Sequence, residues 1–288
     1  MDGLVKAHLD HRRAWQDFDY CYPVISRRSK GVSLGVNLNP DKVCNFDCVY
    51  CEVDRTTPAR RKDVDLDQMA REMEALLDLV ESGELFQVPP FDSAAPHQRR
   101  LNDIAFSGDG EPTTLRTFPQ AVARMAALRR RRGLKDLKLV LITDSSRLRA
   151  PEVMEGLELL MDNGGEIWAK LDAGTEAHYL EVDRSKVPFA RILENLAATA
   201  ARWPIVIQTL FLEWKGRGPS PEEVEAYIQR LQEIRAAGTL AGIQIYTVAR
   251  PTPEPEARPL RAAELDLLAG RVKDALPAVP LEVFYGPS

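Results

Sequence analysis

The chain has 288 residues, 44% hydrophobic and 28% charged, the balance of a globular chain with a sizeable core. Its 38 Lys and Arg against 43 Asp and Glu leave a net charge of −5, which runs against a dedicated nucleic-acid binder and its surplus of cations for phosphate. No apolar run approaches the roughly 20 residues of a membrane span, and Met1-Asp2-Gly3-Leu4-Val5-Lys6 opens no signal-peptide core, so the expectation is a cytoplasmic protein with no membrane partner.

Short β-branched runs alternate with longer amphipathic ones. Residues 1–31 are largely polar and read as an N-terminal extension. The first strand is expected at Val32–Val36, with Val32, Leu34 and Val36 on one face and Ser33 and Gly35 on the other. Leu66, Met69, Ala70, Met73, Leu76, Leu77 and Val80 form the apolar stripe of a helix. Val88–Arg100, with three prolines, reads as a loop. Strands follow at Ile104–Ser107, Leu139–Thr143, Ile167–Leu171, Ile205–Leu212 and Ile243–Val248, with a last one at Leu281–Tyr285. Helices between them are expected over about Pro119–Arg132, Pro151–Met161, Pro188–Arg202 and Arg261–Leu276. The helix carrying Val224, Tyr227, Ile228, Leu231 and Ile234 has its own punctuation. Ser220 is its N-cap, Pro221 opens the first turn, Glu223 closes a capping box, and Gly238 lies just past the end. Arg250–Pro259, with four prolines, is extended or turning. About six strand–helix units in series predict an α/β fold, a partial (β/α)6 barrel with parallel strands, forming one domain over 1–288.

The cysteines carry the chemistry. There are four, and Cys44, Cys48 and Cys51 fall within eight residues, with Cys21 alone upstream. Three clustered thiols and a distant one make a poor disulfide framework. The loop closely follows the first strand, near that strand's C-terminal end, where parallel α/β folds place their sites. Four thiolates close a 4Fe–4S cluster; three on a Cys-x3-Cys-x2-Cys spacing leave one iron open for a small-molecule ligand. The alternative is a structural zinc or a closed, redox-only cluster with Cys21 as fourth ligand. His8, His11, His97 and His178 form no ligand set with these cysteines.

The loop, with Tyr50 just before the last cysteine, resembles the signature of the radical S-adenosylmethionine superfamily. The resemblance implies a 4Fe–4S cluster on Cys44, Cys48 and Cys51, and S-adenosylmethionine bound to the fourth iron. It also implies reductive cleavage of that cofactor to a 5′-deoxyadenosyl radical, which abstracts hydrogen from a substrate that the sequence does not identify. A one-electron reductant such as flavodoxin or ferredoxin is implied as a partner. Gly108-Asp109-Gly110-Glu111, at the end of the second strand, is similar to the family's element for the methionine amino group: glycines permit a sharp turn and Glu111 offers a carboxylate to a cation. Thr143 and Ser145 end the third strand, where the family contacts the methionine or ribose. Lys170 and Asp172 end the fourth on one face, as cofactor contacts or as a salt-bridged pair. Gln208, polar within an apolar run, faces ligand or makes a core hydrogen bond.

Gly108–Thr113, Lys170–Ala173 and Ile245–Pro251 resemble the branch holding the wyosine tRNA base synthases. Those enzymes are expected to carry a second cluster on three further cysteines, and with Cys21 alone remaining this chain lacks that ligand set. Arg129–Arg132 with Lys135 and Lys138 reads as a solvated helix end ahead of a nucleic-acid patch, and Arg27, Arg28 and Lys30 as a border of the site opening that meets an anionic substrate or merely solvent. Two alternatives stand beside a radical enzyme of small molecules, nucleosides or peptides: an activase that makes a protein glycyl radical, and a non-catalytic iron–sulfur or metal-binding protein. Cys21 is either a substrate-facing thiol or a buried one.

Overall fold

The computed structural model describes residues 15–59 and 61–287; His8, His11 and the start of the N-terminal extension lie outside them. The chain divides into two compact units. The first holds residues up to Cys44, Arg55–Ile142 and Ala150–Glu166; the second holds Asn45–Asp54, Thr143–Arg149 and Ile167–Ser288.

In the first unit, β1 (Cys21–Ser26) lies antiparallel to β2 (Gly31–Val36), and β2, β3 (Leu101–Phe106) and β4 (Lys138–Thr143) run parallel in that order. β1 falls inside the expected extension. Pro23 hides it in the sequence, since proline cannot donate to a ladder, and an edge strand tolerates this on its open side. All six residues of β2 are buried, so the expected two-faced alternation gives way to a strand enclosed on both faces. Its one polar side chain, Ser33, donates from Oγ to the buried Asp103 carboxylate of β3.

Helix α1 (Leu66–Glu81) buries Met69, Met73, Leu76, Leu77 and Val80 of the expected stripe and leaves Leu66 and Ala70 half-buried, and Asp65 caps it by accepting from the Asp67 and Gln68 amides. Glu72 is buried too. Its carboxylate accepts from the backbone N–H groups of Asp19 (3.0 Å), Tyr20 (2.8 Å) and Cys21 (3.0 Å), fixing the entry into β1. Cys21 is buried, its Sγ 3.4 Å from the Met69 carbonyl. Helices α2 (Phe118–Arg131) and α3 (Pro151–Asp162) complete the unit. The basic run at the end of α2 is laced into acids, Arg131 to Glu74 and Arg132 to Asp78 (2.6 Å) and Glu81 (2.7 Å), and Lys138 at the start of β4 pairs with Glu166 (2.6 Å).

In the second unit, β5 (Glu166–Lys170), β6 (Ile205–Leu210), β8 (Leu240–Tyr246) and β10 (Leu281–Phe284) are parallel neighbours in that order. The expected strand Ile205–Leu212 breaks at Phe211. Its tail becomes β7 (Leu212–Trp214), antiparallel to β9 (Ala257–Pro259) from the proline-rich loop. One apolar run serves two sheets because Leu212, Trp214 and Ala257 pack with Leu210, Val248, Val182 and Val49 into a single cluster. Helices α4 (Glu176–Val182), α5 (Phe189–Arg202), α6 (Pro221–Ala237) and α7 (Ala262–Ala275) cover the unit. The short α4, capped by Thr175, is absent from the sequence reading, since two turns carry too little periodicity to register.

Ser220 caps α6 as expected, accepting from the Glu223 amide at 3.2 Å. The capping box is a correction. The Glu223 carboxylate reaches away to accept from the Gly174 amide (2.5 Å) and from the Thr175 amide and hydroxyl (3.1 and 2.5 Å). Two unpaired backbone donors after β5 outcompete a single one at the helix's own N-cap. Among the described residues no helix is long and apolar enough to cross a membrane.

Candidate functional site

Cys44 and Gly108–Glu111 belong to the first unit; Cys48, Tyr50, Cys51, Thr143, Ser145, Lys170, Asp172 and Gln208 belong to the second.

In the first unit the turn Ser107–Glu111 follows β3 and is held by two asparagines just beyond β2. Asn37 Oδ1 accepts from the Asp109 and Asn39 amides (3.1 and 3.0 Å), and Asn37 Nδ2 donates to Asp109 Oδ2 (2.8 Å). Asn39 Nδ2 donates to Thr114 Oγ1 at 2.9 Å. The Glu111 amide donates to the Val43 carbonyl (3.2 Å), so the segment leading into Cys44 lies directly on the turn. Gly108 and Gly110 are required by that closeness: a Cβ at 108 would run into Asn37, and one at 110 into the Val43 carbonyl. Glu111 is buried, and its Oε1 accepts from the amide (3.1 Å) and hydroxyl (2.5 Å) of Thr113. Sequence reading missed Asn37 and Asn39. Their signal was present, two amide side chains flanking Leu38 directly after an apolar strand, a position suited to capping a neighbouring turn.

In the second unit the rest of the cysteine loop is docked along the end of α4. The Asp47 and Val49 amides donate to the Asp183 and Val182 carbonyls (3.0 and 2.9 Å), and Ser185 Oγ donates to the Asn45 carbonyl at 2.8 Å. Phe46 meets Tyr179 edge-on at 5.6 Å. Thr143 and Ser145 shape their own loop: Thr143 Oγ1 accepts from the Ser145 amide (3.1 Å), and Ser145 Oγ donates to the Lys170 carbonyl (3.0 Å). Asn195 Nδ2 donates to the Ser145 and Ser146 carbonyls (2.8 and 2.9 Å).

A buried polar network joins Lys170, Asp172 and Tyr50. Lys170 Nζ pairs with Asp172 Oδ2 at 3.0 Å, donates to Tyr246 Oη at 3.0 Å, and lies 5.0 Å from the Tyr50 ring centre. The Tyr50 hydroxyl donates to the same Asp172 oxygen, while Asp172 Oδ1 accepts from the Leu210 amide at 2.7 Å. Tyr50 Oη and Cys48 Sγ both lie against Asp183 Oδ1, at 3.5 and 3.6 Å. Burial alone would lower the Lys170 pKa, but the Asp172 carboxylate, with Tyr246 and Cys48, outweighs it and holds the ammonium well above its ordinary value. Burial, reinforced by Asp172, pushes the Asp183 carboxyl well above the carboxylate range. Burial with Asp183 likewise pushes the Cys48 thiol up. Asp183 carries no sequence signal: an acid after a helix resembles any solvated residue.

Lys170, Gln208, Gln244 and Glu282 lie in register across β5, β6, β8 and β10, so they form one polar row on one face. Thr209, on the other face of β6, pairs with Tyr227 of α6 (2.6 Å), so the row lies away from that helix. Gln208 Nε2 donates to Gln244 Oε1 at 2.7 Å, with both residues buried.

Cys44, Cys48 and Cys51 are partly exposed and in no disulfide. Among the described residues, no three Cys, His, Asp or Glu side chains are gathered closely enough to hold a metal ion. Three partly exposed thiols within eight residues, in no disulfide, nonetheless fit an iron–sulfur cluster by donor chemistry.

Parallel strands with crossover helices, and a three-cysteine loop in no disulfide following β2, define the class as an α/β protein. The family described as the Radical SAM superfamily matches residues 38–231, more than half of the chain, and the chain belongs to it. It is 27% identical over 237 residues to a UPF0026 protein of Helicobacter pylori, covering 80% of this chain and 66% of that one. It is 23% identical over 252 residues to a protein named GTPase Obg of Brachyspira hyodysenteriae, covering 85% of this chain and 32% of that one. The chain thus spans about a third to two thirds of the curated relatives it matches. Its fold is shared with the structure of TYW1 with a lysine-pyruvate adduct bound, at TM-score 0.56 and 14% identity, over 85% of this chain and 74% of that one. The fold is also shared with Streptococcus suis SuiB bound to S-adenosylmethionine, at TM-score 0.56 and 13% identity, over 90% of this chain and 52% of that one.

Proposed function

We propose that this chain is a radical S-adenosylmethionine enzyme that holds a 4Fe–4S cluster on Cys44, Cys48 and Cys51. The observation that carries the reading is the family match, which runs through both the cysteine loop and the Gly108–Glu111 turn. Because the match also runs through both compact units, we read the chain as one catalytic domain. When bound, the cluster and S-adenosylmethionine supply an electron and a 5′-deoxyadenosyl radical that takes hydrogen from substrate. The chain's own residues orient and neutralise. Asn37 and Asn39 hold the glycine turn in place, and Glu111 presents a carboxylate to the methionine ammonium. Thr143, Ser145, Lys170, Asp172 and Gln208 supply the polar surface in the second unit. An external flavodoxin or ferredoxin delivers the electron.

The lysine-pyruvate adduct of TYW1 is not carried over to Lys170. An amine must be neutral to attack a carbonyl, and Lys170 is held as the ammonium by Asp172. The test is anaerobic reconstitution with iron and sulfide, then dithionite and S-adenosylmethionine, with 5′-deoxyadenosine measured by chromatography. The expected result is product from the parent protein and none from Cys48→Ala. A loaded protein that never cleaves the cofactor, or an undiminished Cys48→Ala, overturns the reading.

A further inference from the structure

Lys170 is an uncommon residue for its place. Its side chain is 15% exposed and that of its partner Asp172 is fully buried, so a complete ion pair has been moved out of water. Such a pair carries a desolvation cost that an apolar pair of similar size would avoid, and it is therefore weak evidence for a stabilising role. Contacts run from it to the cysteine loop: Lys170 to Asp172, Asp172 to Tyr50, Tyr50 to Asp183, and Asp183 to Cys48. The Tyr50 ring centre lies 5.0 Å from the ammonium and the Tyr246 hydroxyl accepts from it at 3.0 Å, which fixes its position without neutralising it.

This inference rests on the reading that Cys48 ligates a cluster. Reduction is the uptake of one electron from an external one-electron reductant; no bond breaks, no proton moves, and the cluster becomes one unit more negative. Fixed charge outside the ligand shell then stabilises one oxidation state over the other. We infer that Lys170 is a positioning residue for charge, whose buried ammonium favours the reduced state of a cluster held through Cys48, while Asp172 opposes it.

The experiment is a redox titration of the reconstituted protein, followed by the electron paramagnetic resonance signal of the reduced cluster, with iron content and far-UV circular dichroism as controls. At a fixed potential, Lys170→Met should lower the ratio of reduced to oxidised cluster about tenfold. Tenfold is the order expected of one unit charge acting through a protein interior, and for a one-electron couple it equals about 59 mV. Lys170→Arg, which keeps the charge, should stay within about threefold of the parent. Asp172→Asn should move the ratio upward, and it decides the matter should Lys170→Met fail to load. A loaded Lys170→Met at the parent potential, or an Asp172→Asn shift that is absent or downward, overturns the inference while leaving the proposed function standing. A parent protein that takes up no cluster overturns both.

Discussion

Asp103 gives the most quantitative test of the described structure. It is 3% exposed within β3, and burial, only partly offset by hydroxyl donors including Ser33, pushes its carboxyl up to about 6. In the unfolded chain the same group titrates near 3.9. The folded protein therefore binds more protons than the unfolded one between about pH 4 and pH 6, so stability falls as pH rises through that window and is flat above it. A difference of about two units corresponds to about 3 kcal/mol carried as a penalty at neutral pH. Asp103→Asn removes the buried charge and keeps an acceptor for the Ser33 hydroxyl. The variant should be more stable than the parent by about 1–3 kcal/mol at pH 7.5, the lower figure allowing for a weaker neutral hydrogen bond. At pH 4 the two should coincide. Urea midpoints of both proteins across pH 4–8 measure the difference, and other carboxylates cancel because they titrate in both. A difference that is constant with pH, or largest in acid, would refute the reasoning.

The remaining predictions concern three other sites. Glu72→Ala strips the backbone N–H groups of Asp19, Tyr20 and Cys21 of their acceptor and should cost on the order of 3 kcal/mol in urea denaturation, with protection of those amides lost in hydrogen exchange. Gln208→Leu leaves Gln244 Oε1 without its Gln208 donor and should cost about 1–3 kcal/mol; adding Gln244→Leu should recover part of that loss, and strict additivity of the two would count against the pairing. Gly110→Ala sets a methyl against the Val43 carbonyl. It should reduce 5′-deoxyadenosine formation at least about tenfold while the far-UV spectrum stays that of the parent, and full activity would show that the turn can open without loss.

The chemistry was legible because it lies in short, contiguous signals. Three cysteines in eight residues and a glycine turn ending in Glu111 need no tertiary contact to be read, since their spacing is itself the constraint. The strand–helix alternation was legible for a related reason, as parallel strands covered by helices are continuously apolar. β1 and α4 were hidden because Pro23 breaks one local rule and two turns of helix leave too short a pattern.

By itself, then, the sequence determined the alternation of the main parallel strands and long helices and the thiol loop, which depend on periodicity and covalent spacing. Tertiary structure alone decided the partners of the buried charges. Glu223 turned from its own helix to the Gly174 and Thr175 amides. Glu72 went to the start of β1. Asp183 came to lie against Cys48 and Tyr50, and Lys170 between two tyrosines. Such pairings follow from which unsatisfied polar groups the packed chain brings within about 3 Å of one another, and no local pattern of residues encodes that.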